Sequence, residues 1–247
     1  MKSFKLERTT TPGTVTVRTI REFWDSKAKE NPYWFVSSYG PYQGERDLDS
    51  FWRSGQMIWD DLKRVTGYRP RSADTVVEIG CGIGRCTHAI ASEVGFVEAL
   101  DISEQMLALA RRNSPSNVRY HLANGFDLRP IADAAADFVL AYCVFQHLPT
   151  LAALGSYLVE MVRVAKPQGL IAFTLTPRSW TVYLLPLLRA RAWLRERLVP
   201  GGPTGLWRKA WVGIRPSVKD VYRLSPIELT MQMLHGDKWL FYGRRPC

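Results

Sequence analysis

The sequence shows no pattern typical of a membrane-spanning helix, a signal peptide or a metal-binding motif. Its 247 residues contain no apolar run of about 18 or more, so no transmembrane helix is predicted. The segment Met1–Pro12 is polar and threonine-rich, which predicts no signal peptide and a cytoplasmic location. The four cysteines form no CxxC pair, and no pair of the four histidines has metal-ligand spacing. We therefore predict reduced thiols and no metal.

Acidic residues are fewer than basic ones. Lys and Arg number 33 against 23 Asp and Glu, which gives a net charge of +10. This excess favours nucleic acid, an anionic membrane surface, or an acidic or phosphorylated substrate as the partner. The hydrophobic content of 46% suits one large α/β domain, or one domain with an appended cap.

The chain divides into an N-terminal segment and a longer region with a regular pattern. We predict a helical cap over 1–73, which includes a helix over 50–66 that Asp49 caps and Gly67 ends. From residue 74 to 247, strand and helix patterns alternate, which predicts a mostly parallel sheet covered on both faces. The predicted strands are 75–79, 96–100, 118–122, 138–142, 170–175, 227–233 and 238–244, and the predicted helices are 85–94, 104–112, 151–164 and 217–224.

An insertion at 178–215 interrupts this pattern after the fifth strand. It is rich in tryptophan, leucine and arginine, and Glu196 is its only acidic residue. We predict that it forms a lid, a substrate-binding element or a homodimer contact. Peripheral contact of 180–198 with a membrane surface is the alternative.

The first strand leads into a glycine-rich turn. Gly80, Gly82 and Gly84 alternate, so the backbone turns tightly and approaches a ligand where the next helix begins. Asp101 ends the second strand about 20 residues beyond the first glycine, the spacing of a carboxylate that binds ribose hydroxyls. Together the two elements predict a cofactor that contains adenosine.

The spacing of the glycines distinguishes between two cofactors that contain adenosine, NAD and S-adenosylmethionine. A dinucleotide-binding turn reads G-x-G-x-x-G, whereas this turn reads G-x-G-x-G and follows Glu78. A carboxylate at that place repels a pyrophosphate but tolerates the ammonium and sulfonium of a methionine-linked adenosine. We therefore predict S-adenosylmethionine rather than NAD.

These motifs resemble those of class I S-adenosylmethionine-dependent methyltransferases of the small-molecule type. The resemblance covers residues 74–176 and implies a Rossmann-like, mostly parallel seven-stranded sheet with an antiparallel last strand. It implies that Asp101 binds the ribose hydroxyls and that Asn124, where the family usually has an acidic residue, accepts from the adenine amino group. The implied cofactor residues are Glu78, Gly80, Cys81, Gly82, Gly84, Asp101, Ile102, Met106, Asn124, Gly125, Phe126, Ala141 and Tyr142.

His147, which follows the fourth strand, is the predicted catalytic base. Methyl transfer is an in-line displacement, and a hydroxyl becomes a better nucleophile when a neutral histidine removes its proton. The alternative is that His147 only packs or caps the chain before Pro149. Tyr33, Trp34 and Trp180 are predicted to contact the acceptor, because aromatic rings stack on sugar faces and flat ligands.

The predicted function is methyl transfer to a small-molecule hydroxyl, on a sugar, a glycan or another natural product. The net charge of +10 keeps an RNA methyltransferase open, although the sequence has no recognisable RNA-binding module. A methyltransferase for a lipid-linked substrate at the membrane surface is a further alternative. The last alternative is a protein that binds the cofactor without catalysing a reaction. The intact glycine turn and Asp101 argue against this alternative.

Overall fold

The fold is described from a computed structural model of the protein. It describes residues 16–37, 47–176, 185–198, 201–206, 208–235 and 238–247. The helices are α1 (Val17–Glu30), α2 (Pro32–Ser37), α3 (Leu48–Thr66), α4 (Arg85–Ala91), α5 (Glu104–Ala110), α6 (Leu151–Val164), α7 (Leu185–Leu198), α8 (Lys209–Val212) and α9 (Val218–Leu224). The strands are β1 (Thr75–Ile79), β2 (Phe96–Asp101), β3 (Val118–Leu122), β4 (Ala136–Ala141), β5 (Ala165–Leu175), β6 (Thr230–His235) and β7 (Lys238–Arg244).

The described strands form a seven-stranded sheet in the order β3-β2-β1-β4-β5-β7-β6. Strands β1 to β5 pair in parallel, and β7 lies antiparallel between β5 and β6. The chain moves outward from β1 to β3 and then returns to β4 on the other side of β1. The predicted Rossmann-like sheet with an antiparallel last strand is therefore confirmed.

Helices cover both faces of the sheet. Successive buried residues of β1 therefore pack in two different cores, one on each face. Val76 packs with Trp59 and Ile90, which lie on α3 and α4. The next residue, Val77, packs in the other core, to which α6 and α9 contribute Leu158 and Val221. A strand buried on both faces reads as a continuous apolar run, which is how β1 and β4 read in the sequence.

The helix α3 begins at Leu48 rather than at Ser50. Its N-cap is Asp47, whose Oδ1 accepts a hydrogen bond from the Ser50 backbone N–H at 2.8 Å, and Asp49 lies in the first turn. Gly67 ends the helix in the left-handed region at φ 69°, as predicted. Both acids suit a helix start, so only the backbone conformation separates them.

The C-terminal part agrees with the predicted hairpin but shifts its boundaries. The strand β5 begins at Ala165 rather than at 170, and β6 spans Thr230–His235 rather than 227–233. The insertion contains α7 and α8, of which the sequence pattern gave no boundaries. The division between a cap over 1–73 and a domain over 74–247 stays a prediction. No helix in the described ranges is long and apolar enough to cross a membrane.

Candidate active site

A cavity of about 940 Å³ lies at the carboxyl ends of β1, β2 and β4. In open parallel sheets, ligands bind at this place, where the strand order reverses. The predicted cofactor residues that line the cavity are Glu78, Gly80, Cys81, Gly82, Asp101, Ile102, Met106, Gly125 and Tyr142. The predicted base His147 lines the same cavity.

The glycine turn after β1 is packed too closely to accept a side chain at two of its positions. Gly80 and Gly82 have φ values of 71° and 56°, in the left-handed region that glycine adopts without strain. A Cβ on Gly80 would lie 2.3 Å from Cγ2 of Val144, and one on Gly82 would lie 3.0 Å from Cγ2 of Val36. The turn therefore requires glycine at both positions for its conformation and for its close packing.

Asp101 connects the end of β2 to the glycine turn. Its Oδ2 accepts from the backbone N–H of Gly82 at 2.8 Å, and its Oδ1 accepts from that of Ser103 at 2.9 Å. Burial raises the pKa of this carboxyl to about 6. Ser103 caps α5, as predicted, by accepting from the Met106 N–H at 3.1 Å. Asp101 is thus held rigidly at the cavity wall.

Glu78 is a second buried carboxyl group at this wall. Its Oε2 accepts from the Thr87 hydroxyl at 2.5 Å, and burial raises the pKa of Glu78 to about 7. Among the described residues, no Lys, Arg or His side chain forms an ion pair with Glu78 or Asp101. The charge of the buried Arg85 offsets part of the burial cost of Glu78, and the remaining cost favours a positively charged group of a ligand at this end of the cavity.

The helix α1 crosses the ends of β2 and β3 and covers the cavity from above. Its Arg21 donates from Nε to the Ile102 carbonyl and from Nη2 to the Ala123 carbonyl, each at 3.1 Å. A Cβ on Gly125 would lie 2.7 Å from Cγ1 of Val17, so the helix packs directly on this loop. The residues of α1 that line the cavity are Val17, Ile20 and Trp24.

His147 is held in the neutral form in which a histidine acts as a base. Its Nδ1 lies 2.6 Å from the Trp211 carbonyl oxygen. Because a carbonyl only accepts, Nδ1 carries the proton and Nε2 carries the lone pair. Nε2 lies 3.5 Å from the side-chain nitrogen of Gln146. Burial, together with the charge of Arg215, lowers the pKa of His147 to about 4, although the hydrogen bond to Trp211 raises it.

The central part of the chain matches a known protein family. Residues 77–173, which contain the glycine turn, Asp101 and His147, match the family described as a methyltransferase domain. The match to a methyltransferase domain concerns this part of the chain. The resemblance carried by the glycine turn and Asp101 is therefore confirmed.

The curated relatives of this domain are only distantly similar in sequence. The chain is 30% identical over 131 residues to the ubiquinone biosynthesis O-methyltransferase of Hydrogenovibrio crunogenus, covering 52% of each chain. It is 35% identical over 112 residues to the malonyl-[acyl-carrier protein] O-methyltransferase of Erwinia pyrifoliae, covering 45% of this chain and 41% of that protein. The chain thus spans about half the length of the curated relatives it matches.

A solved structure extends the likeness over nearly the whole chain. Magnesium protoporphyrin IX methyltransferase from Synechocystis PCC 6803 with bound SAH superposes with a TM-score of 0.61. The alignment covers 93% of this chain and 99% of that chain at 16% sequence identity. At this identity the likeness concerns the fold, which includes the helices before β1 and the hairpin at the end.

Arg85 is a site residue that the sequence analysis missed. It follows the glycine turn as the first residue of α4 and lines the cavity, yet it is only 6% exposed. One guanidinium nitrogen donates to the Ser54 hydroxyl at 3.3 Å, while the buried Nε has no hydrogen-bond partner. A buried guanidinium with an unused donor suits an anionic group in the cavity. The signal was an arginine directly after the turn.

Asn124 and Phe126 lie outside the cavity of the methyltransferase domain. The Asn124 side-chain oxygen accepts from the backbone N–H of Phe126 at 2.8 Å and of Asp127 at 3.0 Å, and both Asn124 and Phe126 are exposed. The predicted bond from Asn124 to an adenine amino group is therefore not supported by this arrangement. The loop instead lines the cavity with Ala123 and Gly125.

Two further predicted residues support the site without lining it. Gly84 is the N-cap of α4 with φ 88°, and Ala141 is fully buried at the end of β4. The chain then turns at Cys143, which has φ 59° and donates its backbone N–H to the Thr174 hydroxyl at 2.7 Å. A positive φ is uncommon for a residue other than glycine, and such strained positions cluster at functional sites.

The predicted acceptor contacts Tyr33 and Trp34 do not line the cavity. The ring of Tyr33 packs against Phe51 at 5.0 Å, and Trp34 stacks on Trp211 with ring centroids 6.4 Å apart. Trp180 lies outside the described residues. The aromatic wall is formed instead by Trp24, Phe35 and Trp211, and the rings of Trp24 and Trp211 lie 5.1 and 5.3 Å from His147.

The insertion after β5 contributes one side of the cavity. Its lining residues are Leu188, Arg189, Leu206, Trp211, Val212 and Arg215. A Cβ on Gly213 would lie 1.8 Å from the Gln146 carbonyl oxygen, so this segment packs directly against the residue before His147. Among the described residues, no group of three or more His, Cys, Asp or Glu side chains is placed to bind a metal ion.

Proposed function

We propose that this chain is an S-adenosylmethionine-dependent O-methyltransferase that acts on a hydroxyl group of a small molecule. The observation that carries the proposal is the position of His147, a neutral base with its Nδ1 bound to a carbonyl at the wall of the cofactor cavity. An amine acceptor needs no such base, whereas a hydroxyl gains from one. The two curated relatives described above are O-methyltransferases, which supports the same reaction, whereas two others are N-methyltransferases.

The residues at one end of the cavity fit S-adenosylmethionine. The buried carboxylates Glu78 and Asp101, which form no ion pair within the described residues, favour a ligand with an ammonium and a sulfonium. In the proposal, Asp101 accepts from the ribose hydroxyls, Ile102 and Met106 flank the adenine, and Arg85 binds the carboxylate. The bound cofactor supplies an electrophilic methyl group.

His147 would act on the proton of the acceptor hydroxyl. The bound cofactor would provide the methyl carbon for the hydroxyl oxygen, and its sulfur would keep the electron pair of the carbon–sulfur bond. As the new bond forms, the hydroxyl proton becomes strongly acidic, so even an imidazole of lowered pKa can take it on Nε2. The Trp211 carbonyl would hold the ring in place throughout and would keep the proton on Nδ1, which leaves Nε2 as the basic nitrogen.

The acceptor end of the cavity suits a flat molecule. Trp24, Phe35 and Trp211 supply aromatic walls, on which the ring of a natural product or the face of a sugar can stack. We propose that 1–73 acts as a cap over the cofactor and that 178–215 acts as a lid over the acceptor. The contacts of Arg21 with the β2 and β3 loops and the lining by Trp211 support these two roles.

The cofactor is tested by isothermal titration with S-adenosylhomocysteine and, separately, with NAD. Wild type should bind S-adenosylhomocysteine with micromolar affinity, and Asp101→Ala should abolish the binding. Binding of NAD alone would refute the assignment of the cofactor.

The base is tested by methyl transfer to a panel of phenols and sugar-bearing natural products. His147→Asn should lower kcat by about 10²–10⁴-fold, because general base catalysis contributes this much, while the Kd of S-adenosylhomocysteine stays unchanged. His121→Asn, outside the cavity on β3, is the matched control. An unchanged kcat in His147→Asn would leave this histidine a packing role only.

A second candidate function is methylation of a lipid-borne acceptor at an anionic membrane surface. The helix α7 supports it, because Leu188 and Arg189 line the cavity while Leu187 and Leu198 are each 68% exposed among arginines. Basic helices with exposed apolar residues bind such surfaces. Wild type should sediment with vesicles of anionic phospholipid, and Leu187→Asp should not. Equal recovery of both proteins in the supernatant would refute this candidate.

A further inference from the structure

We propose that the acceptor carries a negative charge beside its apolar body, and that Arg215 and Lys238 bind this charge. The inference rests on the proposed function, since it names the class of acceptor for the same site. The acceptor would be an aromatic or otherwise apolar alcohol with a carboxylate, phosphate or sulfate group.

The acids that line the cavity are Asp61, Glu78 and Asp101, and the cations that line it are Arg85, Arg189, Arg215 and Lys238. The carboxylates Glu78 and Asp101 lie at the ends of β1 and β2, on the cofactor side. Arg189, Arg215 and Lys238 reach the cavity from α7, from the segment before α9 and from the start of β7. Three elements that are distant in sequence thus bring positive charge to the side formed by the insertion and the last strand.

Arg215 and Lys238 have no acidic partner among the residues that the structure describes. Within the described ranges neither side chain forms a salt bridge or a side-chain hydrogen bond, although both are partly buried. By contrast, Arg163 and Lys166 outside the cavity each contact a carboxylate, at 2.5 and 2.7 Å. Partly buried cations without a partner favour an anionic ligand, and nearby apolar walls strengthen the attraction by lowering the local dielectric constant.

The backbone holds Arg215 close to the predicted base. The carbonyl of Trp211 binds His147, and Gly213 packs against the Gln146 carbonyl so closely that a Cβ would lie 1.8 Å from its oxygen. Arg215 follows two residues later and lines the cavity, and its charge reaches His147, where it lowers the pKa. The same short segment therefore orients the base and supplies a cation for the acceptor.

The aromatic walls define the rest of the acceptor. Trp24, Phe35 and Trp211 suit a flat ring, and aromatic walls alone would also suit an ammonium group through cation–π contacts. The positive charge of Arg189, Arg215 and Lys238 opposes a cationic acceptor at this place. An apolar anion satisfies both features.

The test compares two probes of the same shape that differ in charge. 6-Hydroxy-2-naphthoate carries a carboxylate, and 6-hydroxy-2-naphthamide replaces it with a neutral amide. Binding of each to the protein saturated with S-adenosylhomocysteine is followed by naphthol fluorescence. We expect the carboxylate to bind at least about 10-fold more tightly than the amide, and the preference to shrink as salt is added.

Variants assign the preference to the two cations. Arg215→Gln and Lys238→Gln should each reduce the ratio of the two affinities to below about 3-fold, since one of the charges is lost. Arg195→Gln is the matched control, because this exposed arginine of α7 does not line the cavity and its loss changes the net charge equally. An unchanged Kd for S-adenosylhomocysteine shows that each variant is folded.

The outcomes separate this inference from the proposed function. Equal binding of the two probes, binding of neither, or a preference that survives in both cavity variants would each overturn the anionic acceptor while leaving the cofactor assignment intact. Failure of the wild type to bind S-adenosylhomocysteine would instead overturn the proposed function, and the acceptor class with it.

Discussion

Acidification from pH 8 to pH 6 should weaken the binding of S-adenosylhomocysteine. Glu78 and Asp101 lie at the cofactor end of the cavity, and burial raises their pKa values to about 7 and about 6. The ammonium and ribose hydroxyl groups of this ligand bind well only when the two carboxyl groups are ionised. Protons therefore compete with the cofactor in this range of pH.

The size of the effect follows from these pKa values. At pH 6 each carboxyl group must lose its proton before the ligand binds. This requirement weakens binding about 11-fold for Glu78 and about 2-fold for Asp101, whereas at pH 8 both factors are close to 1. The combined loss of affinity is roughly 20-fold if both groups are fully ionised in the complex. At pH 7 the complex should release roughly 0.6 protons.

Isothermal titration at several pH values measures this dependence, and buffers of different ionisation enthalpy give the number of protons released. Glu78→Gln should remove most of the pH dependence, because Glu78 supplies the larger factor. Glu104→Gln is the control, since this acid is partly exposed on α5 and lies outside the cavity. A Kd that is constant from pH 6 to pH 8, or an unchanged slope in Glu78→Gln, would refute the reasoning.

Further predictions concern stability and the position of the base. The folded-state pKa of Glu78, about 7, lies above its ordinary 4.5, so its contribution to stability is present below about pH 4.5 and is lost as the pH rises through about 7. Glu78→Gln should therefore raise the Tm of the unliganded protein at pH 8 by several degrees, for a gain of roughly 1–3 kcal/mol, whereas an equal or lower Tm would contradict the assigned burial cost. Gly213→Ala should lower kcat without changing the Kd of S-adenosylhomocysteine, because its Cβ would push the 211–215 segment away from Gln146. Steady-state kinetics beside titration tests it, and a wild-type kcat would show that this contact does not orient His147.

Sequence pattern alone predicted the elements whose signals are local. The strand β1, the turn with Gly80 and Gly82, and Asp101 at the end of β2 all lie where the pattern placed them. Each depends on neighbouring residues: an apolar run, glycines that permit a positive φ, and a fixed distance along the chain. The helix boundary at Gly67 is of the same kind, because its φ of 69° belongs to glycine.

Only the tertiary structure decided which side chains face the cavity. Asn124 turns outward because the backbone N–H groups of its own loop occupy its oxygen, and Trp34 packs on Trp211 instead of lining the site. The contact that fixes the tautomer of His147 comes from a residue 64 positions further along the chain. No periodicity or spacing encodes such a pair, because it depends on where the insertion folds back onto the sheet. For the same physical reason the sequence did not identify Arg85 as a site residue. The helix that contains Arg85 was predicted, but the burial of its side chain depends on how α3 packs across it.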